Sequence, residues 1–182
     1  MAHLKKTLPI LFAFVLIANC ILFSAAQMDD DDDEDSKETT ASMRKTWKGK
    51  VCTIRNADAS SYKMYMRKMT KRFRVAYKRE PKKGSKWIVT PVRVGNKSYF
   101  EVYNEEMKMY MGATKTEARG RTDNYQKSDT TKTLFNIDPP KQDVPVYISS
   151  FKGKFISEPT SLKKKSVAME YNKKTKWIIK CN

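Results

Sequence analysis

Beyond residue 50 the apolar positions fall into short runs with a period of two. Phe73, Val75 and Tyr77 alternate with Arg74, Ala76 and Lys78, and Val167, Met169 and Tyr171 alternate in the same way. That spacing places apolar side chains on one face of an extended strand. No segment has a convincing helical period: Lys68 to Arg79 could be forced into one, but the alternation from Phe73 to Lys78 is strand spacing. Turns are expected at Pro81-Lys82-Lys83-Gly84, Val94-Gly95-Asn96, Asp138-Pro139-Pro140 and Phe151-Lys152-Gly153. There Gly, Pro and Asn supply the backbone angles that a reversal needs.

The runs also repeat. A strand ending in Asn or Ser occurs three times, as Val51-Cys52-Thr53-Ile54-Arg55-Asn56, Phe100-Glu101-Val102-Tyr103-Asn104 and Val146-Tyr147-Ile148-Ser149-Ser150. A second short strand follows each: Lys63-Met64-Tyr65-Met66, Lys108-Met109-Tyr110-Met111 and Lys154-Phe155-Ile156-Ser157. Each unit closes on Trp87-Ile88-Val89, Leu134-Phe135-Asn136-Ile137 or Trp177-Ile178-Ile179. Aligning Tyr65 with Tyr110 and Tyr110 with Ile156 gives a period of about 46 residues, within the range of repeat architectures. Three such units of four strands predict an all-β domain of twelve strands around one core. Only Arg119-Gly120-Arg121-Thr122 lacks the apolar alternation expected of its place in the second unit.

The pattern resembles the β-trefoil superfamily, a six-stranded barrel capped by three hairpins with pseudo-threefold symmetry, over about residues 47–182. A lipocalin-like barrel or an OB-type domain would not give a repeat near 46. Within the superfamily, the ricin-type lectins carry Gln-x-Trp in each repeat. The corresponding positions here read Ser85-Lys86-Trp87, Thr133-Leu134-Phe135 and Thr175-Lys176-Trp177, without Gln. Soybean-type protease inhibitors usually carry two disulfides, and this chain can form one. The nearest branch is the fibroblast-growth-factor-like and interleukin-1-like group. That resemblance implies receptor binding and, for the growth factors, heparan sulfate on a basic surface.

The amino terminus changes the setting. Lys5-Lys6, an apolar run from Leu8 to Phe23 and Ser24-Ala25-Ala26 follow the order of a signal peptide, so residues 1–26 are expected to be removed. The expectation is a secreted protein in an oxidising compartment, with no membrane-spanning segment after cleavage. Cleavage would take His3 and Cys20 with it, leaving no histidine and two cysteines, Cys52 and Cys181. These are expected to form one disulfide. If the repeats close a ring, that bond fastens its seam.

Charge divides the rest. Residues 27–43 form an acidic stretch read as a disordered tail, with eight acids between Asp29 and Glu38. Residues 44–182 hold 34 Lys and Arg against 12 Asp and Glu, a net +22, which attracts polyanions at long range. The basic clusters are Arg67, Lys68, Lys71, Arg72, Arg74, Arg79, Lys82 and Lys83 in the first unit, and Lys163, Lys164, Lys165, Lys173, Lys174 and Lys176 in the third. They are the candidate polyanion-binding residues, on a one-sided patch. Asn96-Lys97-Ser98 makes Asn96 a candidate N-glycosylation site.

Catalysis is argued against by the absence of a nucleophile–base pair, since no histidine would remain and both cysteines are committed. No cofactor or metal is expected. The tyrosine–methionine pairs around Tyr65 and Tyr110, with Trp87 and Trp177, read as core. The reading is a secreted, monomeric, non-enzymatic protein that binds a heparan-sulfate-like polyanion or an acidic protein partner, with nucleic acid outside its role. Two alternatives stay open: a protease inhibitor or salivary or venom-type effector that inserts a basic loop such as Arg79 to Lys86, and an extracellular structural matrix protein.

Overall fold

The computed structural model describes residues 41–128, 130–159 and 166–182. The signal segment and most of the acidic stretch therefore lie outside the described residues. Twelve strands follow in order: β1 (Val51–Asn56), β2 (Tyr62–Lys68), β3 (Phe73–Arg79), β4 (Trp87–Val94), β5 (Lys97–Asn104), β6 (Met109–Ala113), β7 (Ala118–Arg121), β8 (Leu134–Asp138), β9 (Pro145–Ser150), β10 (Phe155–Ser157), β11 (Ala168–Glu170) and β12 (Trp177–Cys181). All pairings are antiparallel.

Six of these strands close a ring. β1 pairs with β4, β4 with β5, β5 with β8, β8 with β9, β9 with β12, and β12 returns to β1. The hairpins β2–β3, β6–β7 and β10–β11 branch from it as a cap. Val75, Ala118 and Val167, one from each unit and all fully buried, meet there. Val167 N–H donates to Val75 O at 3.0 Å and Ala118 N–H to Val167 O at 3.3 Å. Six barrel strands and three hairpins in threefold arrangement make the fold a β-trefoil, and ring closure leaves the barrel no free edge.

The register shows which residues are equivalent. Cys52 pairs with Trp87, Phe100 with Phe135 and Val146 with Trp177. At the other end Asn104 pairs with Trp87, Ser150 with Phe135 and Asn56 with Trp177. Each first strand ends in Asn or Ser because that side chain turns the backbone. Asn56 Oδ1 accepts from Asp58 N–H (2.8 Å) and Ala59 N–H (2.9 Å), Asn104 Oδ1 from Met107 N–H (2.9 Å), and Ser150 Oγ from Lys154 N–H (3.2 Å).

This register corrects the alignment made on sequence. Trp87 Nε1 donates to Met64 O at 3.1 Å and Trp177 Nε1 to Ile156 O at 2.9 Å, so Met64 and Ile156 are equivalent. The pairs Arg55–Lys63 and Tyr103–Tyr110 add Met111 to that set. Aligning Tyr110 with Ile156 is one residue out, since Phe155 opposite Ser149 holds the place of Tyr110 opposite Tyr103, and aligning Tyr65 with Tyr110 is two residues out. A slip of two keeps every side chain on its own face, so alternation does not reveal it. Met64, Met66, Met111, Trp87 and Trp177 are all fully buried, as expected of core. Tyr65 and Tyr110, read as core with them, are only half-buried because they alternate with the buried methionines, and Met109 is half-buried at the start of β6.

Cys52 and Cys181 are register partners across β1 and β12 and form the expected disulfide, with S–S 2.04 Å and Cα atoms 3.9 Å apart. The bond joins the first and last strands of the ring.

Helix is present where none was expected. Residues 41–47 are helical, so the last three residues of the stretch read as tail belong to an ordered element. Trp47 is fully buried with its ring edge-on to Phe100 at 5.4 Å, and Met43 packs on the same core. One apolar turn of helix is too short to leave a period in the sequence. A second short helix, Tyr125–Ser128, is held by Glu101, whose carboxylate accepts from Tyr125 N–H (2.6 Å) and Thr133 Oγ1 (3.2 Å).

Candidate functional site

The β2–β3 turn, Lys68 to Phe73, closes with Met69 N–H donating to Arg72 O at 2.7 Å. It carries Lys68, Lys71 and Arg72, all exposed. Across from it lies the β6–β7 hairpin of the second unit, and between them runs a cleft of about 830 Å³. Arg119 and Arg121 supply its other basic wall, Met109 and Phe73 line it, and Asp123 is the one acid among the described lining residues. Hydroxyls of Thr70, Thr114, Thr122, Ser128 and Thr130 add neutral donors and acceptors.

The strand geometry explains the second wall. Arg119 and Arg121 are two residues apart on β7 and so share a face. Gly120 between them lets the sheet approach the first unit. A Cβ there would lie 2.5 Å from Phe73 Cβ and 3.0 Å from Met66 Sδ. Gly112 does the same for Arg121, whose Cδ would be 2.6 Å from a Cβ at that position. Arg121 Nε is shut off from solvent and has no acceptor among the described residues. Among the described residues five bases stand against one acid in a partly apolar cleft, a surplus that can hold a multiply charged anion and the ring or chain that carries it.

The sequence-predicted bases fall in several places. Lys68, Lys71 and Arg72 line the cleft. Arg67 and Arg74 are half-buried cap residues; Arg74 Nε lies 3.3 Å from Glu117 Oε2 and Nη1 is 3.5 Å from Ser166 Oγ. Arg79, Lys82 and Lys83 are exposed around the connection from β3 to β4. That loop is pinned by Glu106, whose Oε2 accepts from Gly84 N–H (2.6 Å), Ser85 N–H (3.0 Å) and Lys86 N–H (3.4 Å).

In the third unit Lys173 pairs with Glu158 at 3.6 Å, and Lys174 Nζ lies 4.8 Å above the Phe155 ring. Lys176 is exposed. None of these three lines the cleft. Lys163, Lys164 and Lys165 lie outside the described residues. Asn96 is exposed in the β4–β5 turn beside Gly95, which has φ +59.

Sequence reasoning passed over Arg119 and Arg121, because the second unit has few clustered bases. The signal was there in Arg-Gly-Arg: two like charges at strand spacing around a glycine that marks close backbone approach. Among the described residues no group of three or more His, Cys, Asp or Glu is placed to hold a metal ion.

No protein-family profile matches the chain, and no curated protein resembles it in sequence. Solved structures do resemble it in fold. Lysenin in complex with phosphocholine superposes with a TM-score of 0.57 at 11% identity, covering 74% of this chain and 45% of that one. The Polyporus squamosus lectin bound to a Neu5Ac-containing human-type influenza-binding epitope gives 0.55 at 15% identity, over 71% and 48%. The BEL β-trefoil gives 0.57 at 11% identity, over 74% and 94%. The chain thus spans less than half of lysenin and of the Polyporus lectin, and nearly all of BEL. At such identities the likeness is one of fold, and the fold it supports is the β-trefoil.

Proposed function

We propose that this protein is a secreted, non-enzymatic binding protein whose ligand is an anionic polysaccharide of the heparan-sulfate kind. The carrying observation is the cleft between the β2–β3 turn and β7, where, among the described residues, Lys68, Lys71, Arg72, Arg119 and Arg121 stand against one acid, Asp123. Sulfate or carboxylate groups would be held there by paired Arg donors and by release of counterions. Two fold neighbours described as bound to saccharides, the Polyporus lectin and SeviL with asialo-GM1 saccharide, are in keeping with this reading. The lectin-like use of the fold is favoured here over the growth-factor-like one.

Elution from immobilised heparin, compared with elution from a cation exchanger of matched charge density, tests the proposal. Retention on heparin should exceed that on the exchanger. Lys71→Ala and Arg72→Ala should each lower the slope of log affinity against log salt by about 1. Equal retention on both resins would end the reading.

One observation favours a second reading, protease inhibition. Glu106 pins the loop that carries Lys82 and Lys83 through three backbone N–H groups, presenting exposed bases on a held backbone. Inhibition of a trypsin-like protease, lost in Lys82→Ala or Lys83→Ala, would support it.

A further inference from the structure

A second cleft, of about 630 Å³, adjoins the first and shares Thr114 and Arg121 with it. We infer that this second cleft is a stacking subsite for a sugar ring of the same anionic chain, which would run from the basic cleft past Arg121 onto Phe151 and Tyr171. The inference rests on the polysaccharide reading above and adds a site and a length requirement to it.

Among the described residues Phe151 and Tyr171 are the two large hydrophobic side chains left exposed, at 39% and 58%. Both line this cleft. Apolar surface concentrated in one concave place marks a contact site better than the same surface scattered. Neither ring hangs free. Tyr99 packs against Phe151 with centroids 5.1 Å apart, and Lys154 Nζ sits 4.8 Å from the centre of the Tyr171 ring. The same Nζ donates to Lys115 O at 2.6 Å, which anchors the ammonium. Rings held in advance cost little further ordering when a ligand arrives.

The charge around the rings gives the ligand class. Lys115, Lys132, Lys152, Lys154 and Arg121 line the cleft, and no acid does among the described residues. A pyranose offers an apolar C–H face to an aromatic ring and carries its charged substituents at its edge. The face would lie on Tyr171 or Phe151 while sulfate or carboxylate groups meet Lys132 and Lys152. An isolated sulfate would satisfy the bases and leave the rings bare. The two clefts together therefore select a chain over a small anion.

Calorimetric titration with heparin disaccharide and heparin octasaccharide, at several salt concentrations, tests this on the chain lacking residues 1–26. The octasaccharide should bind the wild type at least about tenfold more tightly than the disaccharide. Tyr171→Ala and Phe151→Ala should each weaken octasaccharide binding by about five- to tenfold, as expected for loss of one ring contact. They should leave the salt slope unchanged, because a stacked face releases no counterions, whereas Arg72→Ala should reduce it. Thermal melts confirm that the variants stay folded, and Tyr171→Leu, which keeps apolar bulk without a ring, should behave as Tyr171→Ala. If both ring variants bind the octasaccharide like wild type while Arg72→Ala binds it less well, the stacking subsite is overturned and the polysaccharide reading stands. If neither heparin length binds the wild type more tightly than a non-saccharide polyanion of equal charge density, the polysaccharide reading itself is lost, and the subsite with it.

Discussion

Arg74 and Arg119 are direct register partners across β3 and β7, two like charges facing each other in the cap. Glu117 reconciles them: its Oε2 lies 3.3 Å from Arg74 Nε and its Oε1 2.5 Å from Arg119 Nε. All three side chains are more than half buried, so removing the carboxylate leaves two poorly solvated cations opposed. Glu117→Gln should destabilise the domain by about 1–3 kcal/mol, read as a lower denaturation midpoint. It should at the same time raise the salt needed for elution from heparin, because Arg119 lines the basic cleft and would lose its internal anion. Lower stability with unchanged or weaker retention would show that Arg119 does not face the ligand.

Gly120 and Gly112 make a paired test. A methyl group at Gly120 meets Phe73 Cβ at 2.5 Å and Met66 Sδ at 3.0 Å, inside the packed cap. Gly120→Ala should cost about 1–3 kcal/mol by overpacking. At Gly112 the obstacle is the flexible Arg121 side chain, at 2.6 Å from Cδ. Gly112→Ala should shift Arg121 and weaken polyanion binding with a smaller stability loss. Equilibrium denaturation and heparin elution on the two variants separate the effects.

These glycines show how far the chain could be read in advance. The barrel strands were legible because Trp87, Phe135 and Trp177 recur with strand-ending Asn56, Asn104 and Ser150, and both sets have fixed jobs in the ring. The second unit was opaque for a physical reason. At Gly120 it contributes no side chain, and Met66 and Phe73 of the first unit fill the space instead, a non-local exchange that alternation cannot reveal. The same holds for the cleft. Lys71 and Arg72 announce themselves as neighbours in sequence, whereas their partners Arg119 and Arg121 join them only through the pairing of β3 with β7. Trp47 and Met43, outside the repeat, gave no periodic signal at all.

The Cys52–Cys181 bond closes a loop of 129 residues and joins the first and last strands of the barrel. In the chain-entropy account, a loop of this length contributes about 4–5 kcal/mol. Cys52→Ser/Cys181→Ser should therefore lower the denaturation midpoint strongly, and reducing agent should shift wild type toward the double variant without affecting the variant itself. An unmoved midpoint would mean that pairing of β1 with β12 and β4 holds the seam unaided.

Tyr77 stacks on Tyr62 with centroids 4.8 Å apart and stands edge-on to Trp177 at 6.0 Å. Burial, reinforced by the nearby Glu158 carboxylate, pushes its phenol up to about 12 from 10.0. The folded state therefore holds this proton more tightly than the unfolded chain, so stability is fully present below pH 10 and declines as pH rises toward 12. The ring is half-exposed, and solvent screening holds the effect to about 1 kcal/mol. Tyr77→Phe should remove that share of the alkaline loss, seen as a shallower fall of melting temperature with pH, and should delete one late-titrating phenol from the ultraviolet titration.

The acidic residues Asp29 to Glu38 precede a domain of opposite charge, which makes them a candidate internal competitor for the cleft. Where the deletion ends decides whether the test is clean. Met43 and Trp47 pack on the core, so a truncation through Met43 strips a structural contact along with the acids. Removing residues 27–40 takes the whole acidic run and spares both side chains. Masking then predicts later elution from heparin for the truncated chain, with a gap that narrows as salt screens the competition. The melting temperature should stay the same. A retention gap independent of salt, or none, would mean that the acidic residues do not compete for the basic cleft.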